Sequence, residues 1–204
     1  MQKISISRGN RKTGRVPSVS LMPVVTCVQN VPCSLPDDTG RPPCYALRNM
    51  LAGPYGARIR DAWQRNTDIL FASVSEFFDQ LHEYLNRRRP EMFRFHIGGD
   101  FINAEHLDHA FRTARLFPGT GFVAFSKNFE IFPRASTVPR NFTLVASLWP
   151  NYGTRPRGYR VAFMQDGREH RVTPAALRCL GNCETCGFCW HLRTLRRDVV
   201  FKQH

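Results

Sequence analysis

The sequence predicts an α/β fold: a partial (β/α) barrel or an open, mostly parallel sheet, with a cysteine-rich N-terminal loop and a cysteine-rich C-terminal tail. Three observations lead there. From residue 57 to residue 164, short apolar runs at strand spacing alternate with longer runs at helical spacing. That order builds parallel strands joined by helical crossovers. About four or five such strands are readable, too few to close an eight-stranded barrel. The seven cysteines lie outside this stretch, at positions 27, 33 and 44 and then between 179 and 189.

Taken in order, Lys3-Ile4-Ser5-Ile6-Ser7 and Val16-Pro17-Ser18-Val19-Ser20-Leu21 alternate like strand fragments around a polar turn at 9–14. Residues 27–54 are irregular and proline-rich, and a long loop of this kind inside a compact fold is usually functional. A helix over 57–71 carries Ile59, Ala62, Trp63, Ile69 and Leu70 at helical spacing, with a break expected near Asn66. The next helix opens on a capping box, Ser73 to Glu76, and aligns Phe77, Phe78, Leu81 and Leu85 on one face. Arg87-Arg88-Arg89-Pro90 ends it, with cations suited to a helix C-terminus and a proline that stops the helix. Residues 92–97 follow as a strand with Phe93, Phe95 and Ile97 on one face and Arg94 and His96 on the other. A helix over 103–116, strands over 121–125, 141–148 and 159–164, and a short connection at 129–137 complete the pattern.

At 204 residues one domain is expected: strand fragments and cysteine loop over 1–56, an α/β core over 57–166, and a basic cysteine-rich tail over 167–204. With 42% hydrophobic and 22% charged residues the chain reads as globular. No apolar run approaches the roughly 20 residues of a membrane span. The opening residues lack the apolar core of a secretory signal. A cytoplasmic location is the expectation, and there an odd number of cysteines points to metal ligation over disulfides.

Cys179, Cys183, Cys186 and Cys189 are separated by three, two and two positions. Disulfides among such neighbours would organise little. Four thiols suffice for a closed zinc site. The tight two-residue spacing of the last three is that of cluster-binding loops, so iron–sulfur is preferred and zinc is the alternative. One or two [4Fe–4S] clusters fit seven thiols, and Cys179 is free to complete either group. Cys27, Cys33 and Cys44 are separated by five and then ten intervening residues, a weaker pattern. The net charge of +13 is concentrated at the two cysteine-bearing ends, because residues 61–154 carry ten cations and ten acids. That excess suits nucleic acid or another anionic partner, or the neutralisation of thiolate clusters.

Pro17-Ser18-Val19-Ser20-Leu21-Met22-Pro23, Cys44-Tyr45-Ala46, the run from Arg94 to Phe101, Ser126-Lys127 and the C-terminal cysteines resemble the phage gene product 88 family over most of the chain. That resemblance implies the cytoplasm of an infected bacterial host. More distantly, the order Cys27, Cys33, Cys44, Tyr45, Gly98-Gly99-Asp100 resembles the radical S-adenosylmethionine enzymes. The cysteine spacing differs from theirs, and Asp100 stands where they carry glutamate. This second resemblance implies a [4Fe–4S] cluster with one open iron and S-adenosylmethionine as cofactor. Tyr45, Gly98, Gly99 and Asp100 would then line the cofactor site. Independently, His96, Ser126 and Lys127 are expected near a ligand because they fall in or at the end of parallel strands.

Overall fold

The computed structural model describes residues 2–36, 40, 43–149, 152–165 and 173–202. Eight strands form one sheet: β1 (Ile6–Ser7), β2 (Ser18–Val19), β3 (Met92–Phe95), β4 (Gly121–Ser126), β5 (Phe142–Leu148), β6 (Arg160–Gln165), β7 (Leu177–Arg178) and β8 (Val199–Lys202). Their order is β1-β2-β3-β4-β5-β6-β8-β7, with β1 and β7 at open edges. The β1–β2 pair is antiparallel and every other pairing is parallel. The sheet is therefore open and mostly parallel, and does not close into a barrel.

The strand count exceeds the four or five expected. The tail adds two strands, β8 parallel to β6 and β7 beyond it, and the N-terminal fragments β1 and β2 join the same sheet. Residues 167–172, where the tail was expected to begin, lie outside the described residues. The irregular stretch 27–54 also holds more structure than its prolines suggest, with α1 (Tyr45–Met50) and the start of α2 (Gly53–Ala72).

Helix α2 runs through Asn66 without a break, because the buried amide finds partners outside the helix. Asn66 Oδ1 accepts from the Ser5 amide at 2.6 Å, and its Nδ2 donates to the carbonyls of Ser5 and Ser20 at 2.9 and 2.8 Å. These bonds tie α2 to the segments bearing β1 and β2.

The two longer helices that follow obey their capping signals. Ser73 Oγ accepts from the Glu76 amide at 3.1 Å and starts α3 (Val74–Arg88). Asn103 Oδ1 accepts from the His106 amide at 2.9 Å and starts α4 (Ala104–Leu116). Helices α2, α3 and α4 cover one sheet face. Phe93, Phe95, Phe122 and Phe142 meet Leu70, Phe77, Phe78, Leu81 and Phe111 there. Each such buried side chain stabilises by about 1.5–3 kcal/mol.

The opposite face is covered over β4, β5, β6 and β8 by the tail, with α5 (Cys183–Cys186) and α6 (Leu192–Leu195) flanking a 3-10 turn at Phe188–His191. Trp190 and Leu192 pack there on Val123, Val145, Ala162 and Val199. The Trp190 indole donates to the carbonyls of Phe93 and Gly121 at 3.2 and 2.9 Å, fastening the tail across β3 and β4. Among the described residues no helix is long and apolar enough to cross a membrane.

Candidate metal and ligand site

Parallel strands end on one side of a sheet, and chain leaving them gathers there. In this protein the segments following β2, β3 and β4, with the ends of β5, β6 and β8, enclose a cavity of about 170 Å³. Cys27, Cys33, Cys44 and Tyr45 line one side; Gly99, Asp100 and Lys127 line another, and Phe125, Trp149 and Phe201 add aromatic walls. The three N-terminal cysteines, spread over residues 27–44 of the chain, are thus brought to the strand ends that the sequence marked.

Their acidities are split by their contacts. The Cys33 thiol donates to the Cys44 sulfur, which holds Cys44 down to about 6, helped by the amides of Leu47 and Ala46 at the start of α1. The same bond, with burial, pushes Cys33 well above the ordinary thiol value. Burial pushes Cys27 up to about 11. For Lys127 burial opposes the charge, but negative charge on Cys33, Asp100, Cys27 and Cys44 outweighs it and raises the ammonium above the usual lysine range.

Asp100 builds this wall. Its side chain accepts from the amides of Phe101 and Lys127, both at 2.7 Å, and from the Ser126 hydroxyl. Burial raises its pKa, opposed by those donors. The carboxylate therefore clamps the end of β3 to the end of β4 and sets the direction in which Lys127 leaves the strand. Ser126 is fully buried, and its Oγ also accepts from the Asn128 amide at 3.1 Å. Asn103, not Asp100, caps the following helix.

Both glycines before Asp100 answer to packing. A Cβ on Gly98 would stand 2.6 Å from the Trp63 ring. One on Gly99, at φ 79°, would stand 2.5 Å from Thr26 Oγ1. Gly98 faces α2, and Gly99 alone of the pair lines the cavity.

His96 departs from the strand alternation that paired it with Arg94. Its φ of 53° turns the residue out of the pleat. The ring packs 4.8 Å from Phe101 and 5.1 Å from His106, measured between centroids. Neither ring nitrogen has a hydrogen-bond partner among the described residues, and burial pushes the pKa down to about 3. The imidazole is neutral and borders the cavity from the aromatic side.

The second cysteine group occupies its own pocket of about 20 Å³, lined by Cys179, Cys183, Cys186 and Cys189 with Trp190. Asn182 Oδ1 accepts from the Thr185 amide at 3.4 Å, and the Cys183 amide donates to the Lys12 carbonyl at 3.0 Å. Burial pushes Cys189 up to about 12, opposed by the nearby Arg94 charge. Burial raises Cys183 too, while Arg94 donates to its sulfur. Cys179 stands with Cys183 and Cys189, not with the N-terminal group.

Lys12, Arg94, Phe125 and Phe201 line both cavities and form the wall between them. The Arg94 guanidinium lies 4.9 Å over the Phe125 ring, and the Lys12 ammonium 5.5 Å over Phe201. Burial lowers the Lys12 pKa, opposed by the charge of Cys179. Sequence reasoning placed Arg94 on the correct face without naming it as a site residue. It passed over Lys12, which sits in a polar turn with no local mark of its position.

Among the described residues no three His, Cys, Asp or Glu side chains are already arranged to hold a metal ion. All seven thiols are free. As a donor set they suit a thiolate-ligated metal, since each group lines one cavity and each cavity has a cation at its wall.

The gene product 88 family matches residues 4–192 of the chain. No curated protein and no solved structure matches it.

Proposed function

The chain belongs to the gene product 88 family, and we propose that it is an iron–sulfur protein with two cysteine sites of different character. The observation that carries this reading is the convergence of Cys27, Cys33 and Cys44 on one cavity at the ends of the parallel strands, beside Lys127. A soft thiolate set selects iron–sulfur clusters or zinc. Lys127, Lys12 and Arg94 supply positive charge to offset that of thiolates.

Cys27, Cys33 and Cys44 would hold one cluster, and Cys179, Cys183, Cys186 and Cys189 the other. A four-iron cluster with three protein thiolates supplies one iron open to a small molecule and one-electron chemistry. Around that position Asp100 holds Lys127, and Phe125, Trp149 and Phe201 exclude water. The oxygens of Asp100 are already engaged by backbone amides, so a cofactor amino group would share them. The cofactor taken at that iron would be S-adenosylmethionine. The closed tetrad pocket favours a second reading for that group alone, a structural zinc site. The reducing cytoplasm of an infected host would keep all seven thiols available.

Anaerobic purification with iron, sulfide and zinc analysis tests this. About eight irons per chain with equal labile sulfide is the expected result, or about four irons plus one zinc if the tetrad takes zinc. Replacing Cys27, Cys33 and Cys44 by serine should remove about four irons and leave the rest. Zinc without sulfide, or no metal at all, defeats the reading. Reductive cleavage of S-adenosylmethionine by the loaded protein decides whether the open site is catalytic.

A further inference from the structure

The sheet face that carries the cysteines is not covered all the way across. Toward the β1 edge it opens into a cleft of about 850 Å³, within the range of ligand sites in general. Its floor carries a row of serines, of which Ser20 Oγ accepts from the Ile97 amide at 3.1 Å and Ser7 Oγ bonds to Gly9 at 3.2 Å. Ser5, Ser7, Ser18 and Ser20 occupy alternate positions in and beside β1 and β2, and all four line the cleft. Period-two alternation puts them on one face, while Ile6 and Val19 between them pack into the core on the other. A face of four serines offers hydroxyls to a polar occupant. Ser18 shows that something is owed there: it is 1% exposed, and its Oγ has no hydrogen-bond partner among the described residues.

One wall is a single face of α2. Tyr55, Arg58, Ile59, Ala62 and Trp63 recur at helical spacing and all line the cleft. Tyr55 is 65% exposed despite its size. Arg11, Lys12 and Arg58 make the cleft cationic, and among the described residues no Asp or Glu lines it. A ligand matched to this surface has a flat ring for the aromatics, hydroxyls for the serines and a phosphate for the arginines.

We propose that this cleft binds a nucleoside phosphate unit, presented either as a free nucleotide or as part of a single strand of nucleic acid. The cleft adjoins the three-cysteine cavity, because Lys12, Tyr45, Ile97 and Phe201 line both. A unit held there lies beside that cavity whatever the cavity holds, so the proposal stands apart from the metal reading.

The test uses the protein as purified, with two probes. Fluorescence anisotropy follows a labelled oligodeoxythymidylate of about twelve nucleotides, a length typical of single-strand sites. Tryptophan fluorescence follows ATP, with Trp63 in the cleft as reporter. Arg58 and Tyr55 are exposed, so Arg58→Glu and Tyr55→Ala should keep the fold, checked by their melting temperatures. Each should weaken the bound probe roughly tenfold, the size of losing one charged or stacking contact. Arg87→Glu with Arg88→Glu, a charge change away from the cleft, should leave binding within about twofold at fixed salt. Binding of the oligonucleotide alone identifies a strand as the source, and comparable binding of ATP identifies a free nucleotide. Failure of both probes to bind overturns the proposal. So does equal weakening by the Arg87 and Arg88 changes, which would reduce the effect to bulk charge.

Discussion

The two cysteine groups are held in different ways. The N-terminal three line a cavity of about 170 Å³ through a loop, with a lysine, a clamped carboxylate and a neutral histidine around it. The C-terminal four line about 20 Å³ beneath Trp190, in a turn packed on a hydrophobic cluster and bonded to the Lys12 carbonyl. The first arrangement leaves room for something that is not protein. The second leaves almost none, and its thiols share their surroundings with core side chains. The difference teaches that thiol count alone does not describe the two groups; the volume beside the sulfurs sets them apart.

The largest test of this contrast is at Trp190. If the tail is part of the core, Trp190→Ala removes a side chain that is 8% exposed and its two carbonyl bonds at once. The expected loss is about 3–5 kcal/mol of unfolding free energy, measured by urea denaturation. A loss below about 1 kcal/mol would mean that the tail rests on the sheet without stabilising it.

A smaller effect sharpens the contrast through acid. His96 is neutral in the folded protein, with its pKa held near 3 by burial, against about 6.5 in the unfolded chain. Between those values the unfolded chain binds more protons, so stability rises with pH and is lost as the solution is acidified below about 6.5. At about pH 5 the loss from this one group is about 2 kcal/mol. His96→Asn tolerates the positive φ and should reduce, without abolishing, the difference between urea midpoints taken at about pH 7.5 and pH 5, because burial also lowers the pKa of His106 and His82. An unchanged difference would show that His96 already ionises in the folded state.

Much of this architecture could be read from residue order. Helix α3, strands β3, β4 and β5, and the gathering of polar residues at strand ends all follow from local period and capping, which neighbouring residues determine. What escaped reading depends on distant partners. Asn66 looks like a helix breaker until Ser5 and Ser20 are placed against it. Strand β8 is a short apolar run after an arginine pair, and only the free edge of β6 makes it a strand. His96 follows strand alternation in the sequence, and its turn at φ 53° has no local signal. The cysteine groups were visible as groups, but the wall of Lys12, Arg94, Phe125 and Phe201 between them was not, because its members come from four separate segments.

The least effect is expected at Asp198, where the tail is pinned from the other end. Its carboxylate is 5% exposed and accepts from the Val161 amide at 2.9 Å, Thr173 Oγ1 at 3.1 Å and the Arg155 guanidinium. Burial alone would raise its pKa, but these donors outweigh it and hold the group below the ordinary carboxylate value. The sign is the same as for His96 and only the range is lower: the contribution is complete above about pH 4 and disappears only as pH falls through the lowered value. Arg155 is 38% exposed, so solvent screening reduces what the pair contributes. Asp198→Asn should cost about 1–2 kcal/mol at neutral pH and leave the loss between about pH 6.5 and 5 untouched, because that loss belongs to the histidine side. If Asp198→Asn instead removed the loss in that interval, the two regions would not titrate separately, and the tail would have to be counted as part of the cavity it borders.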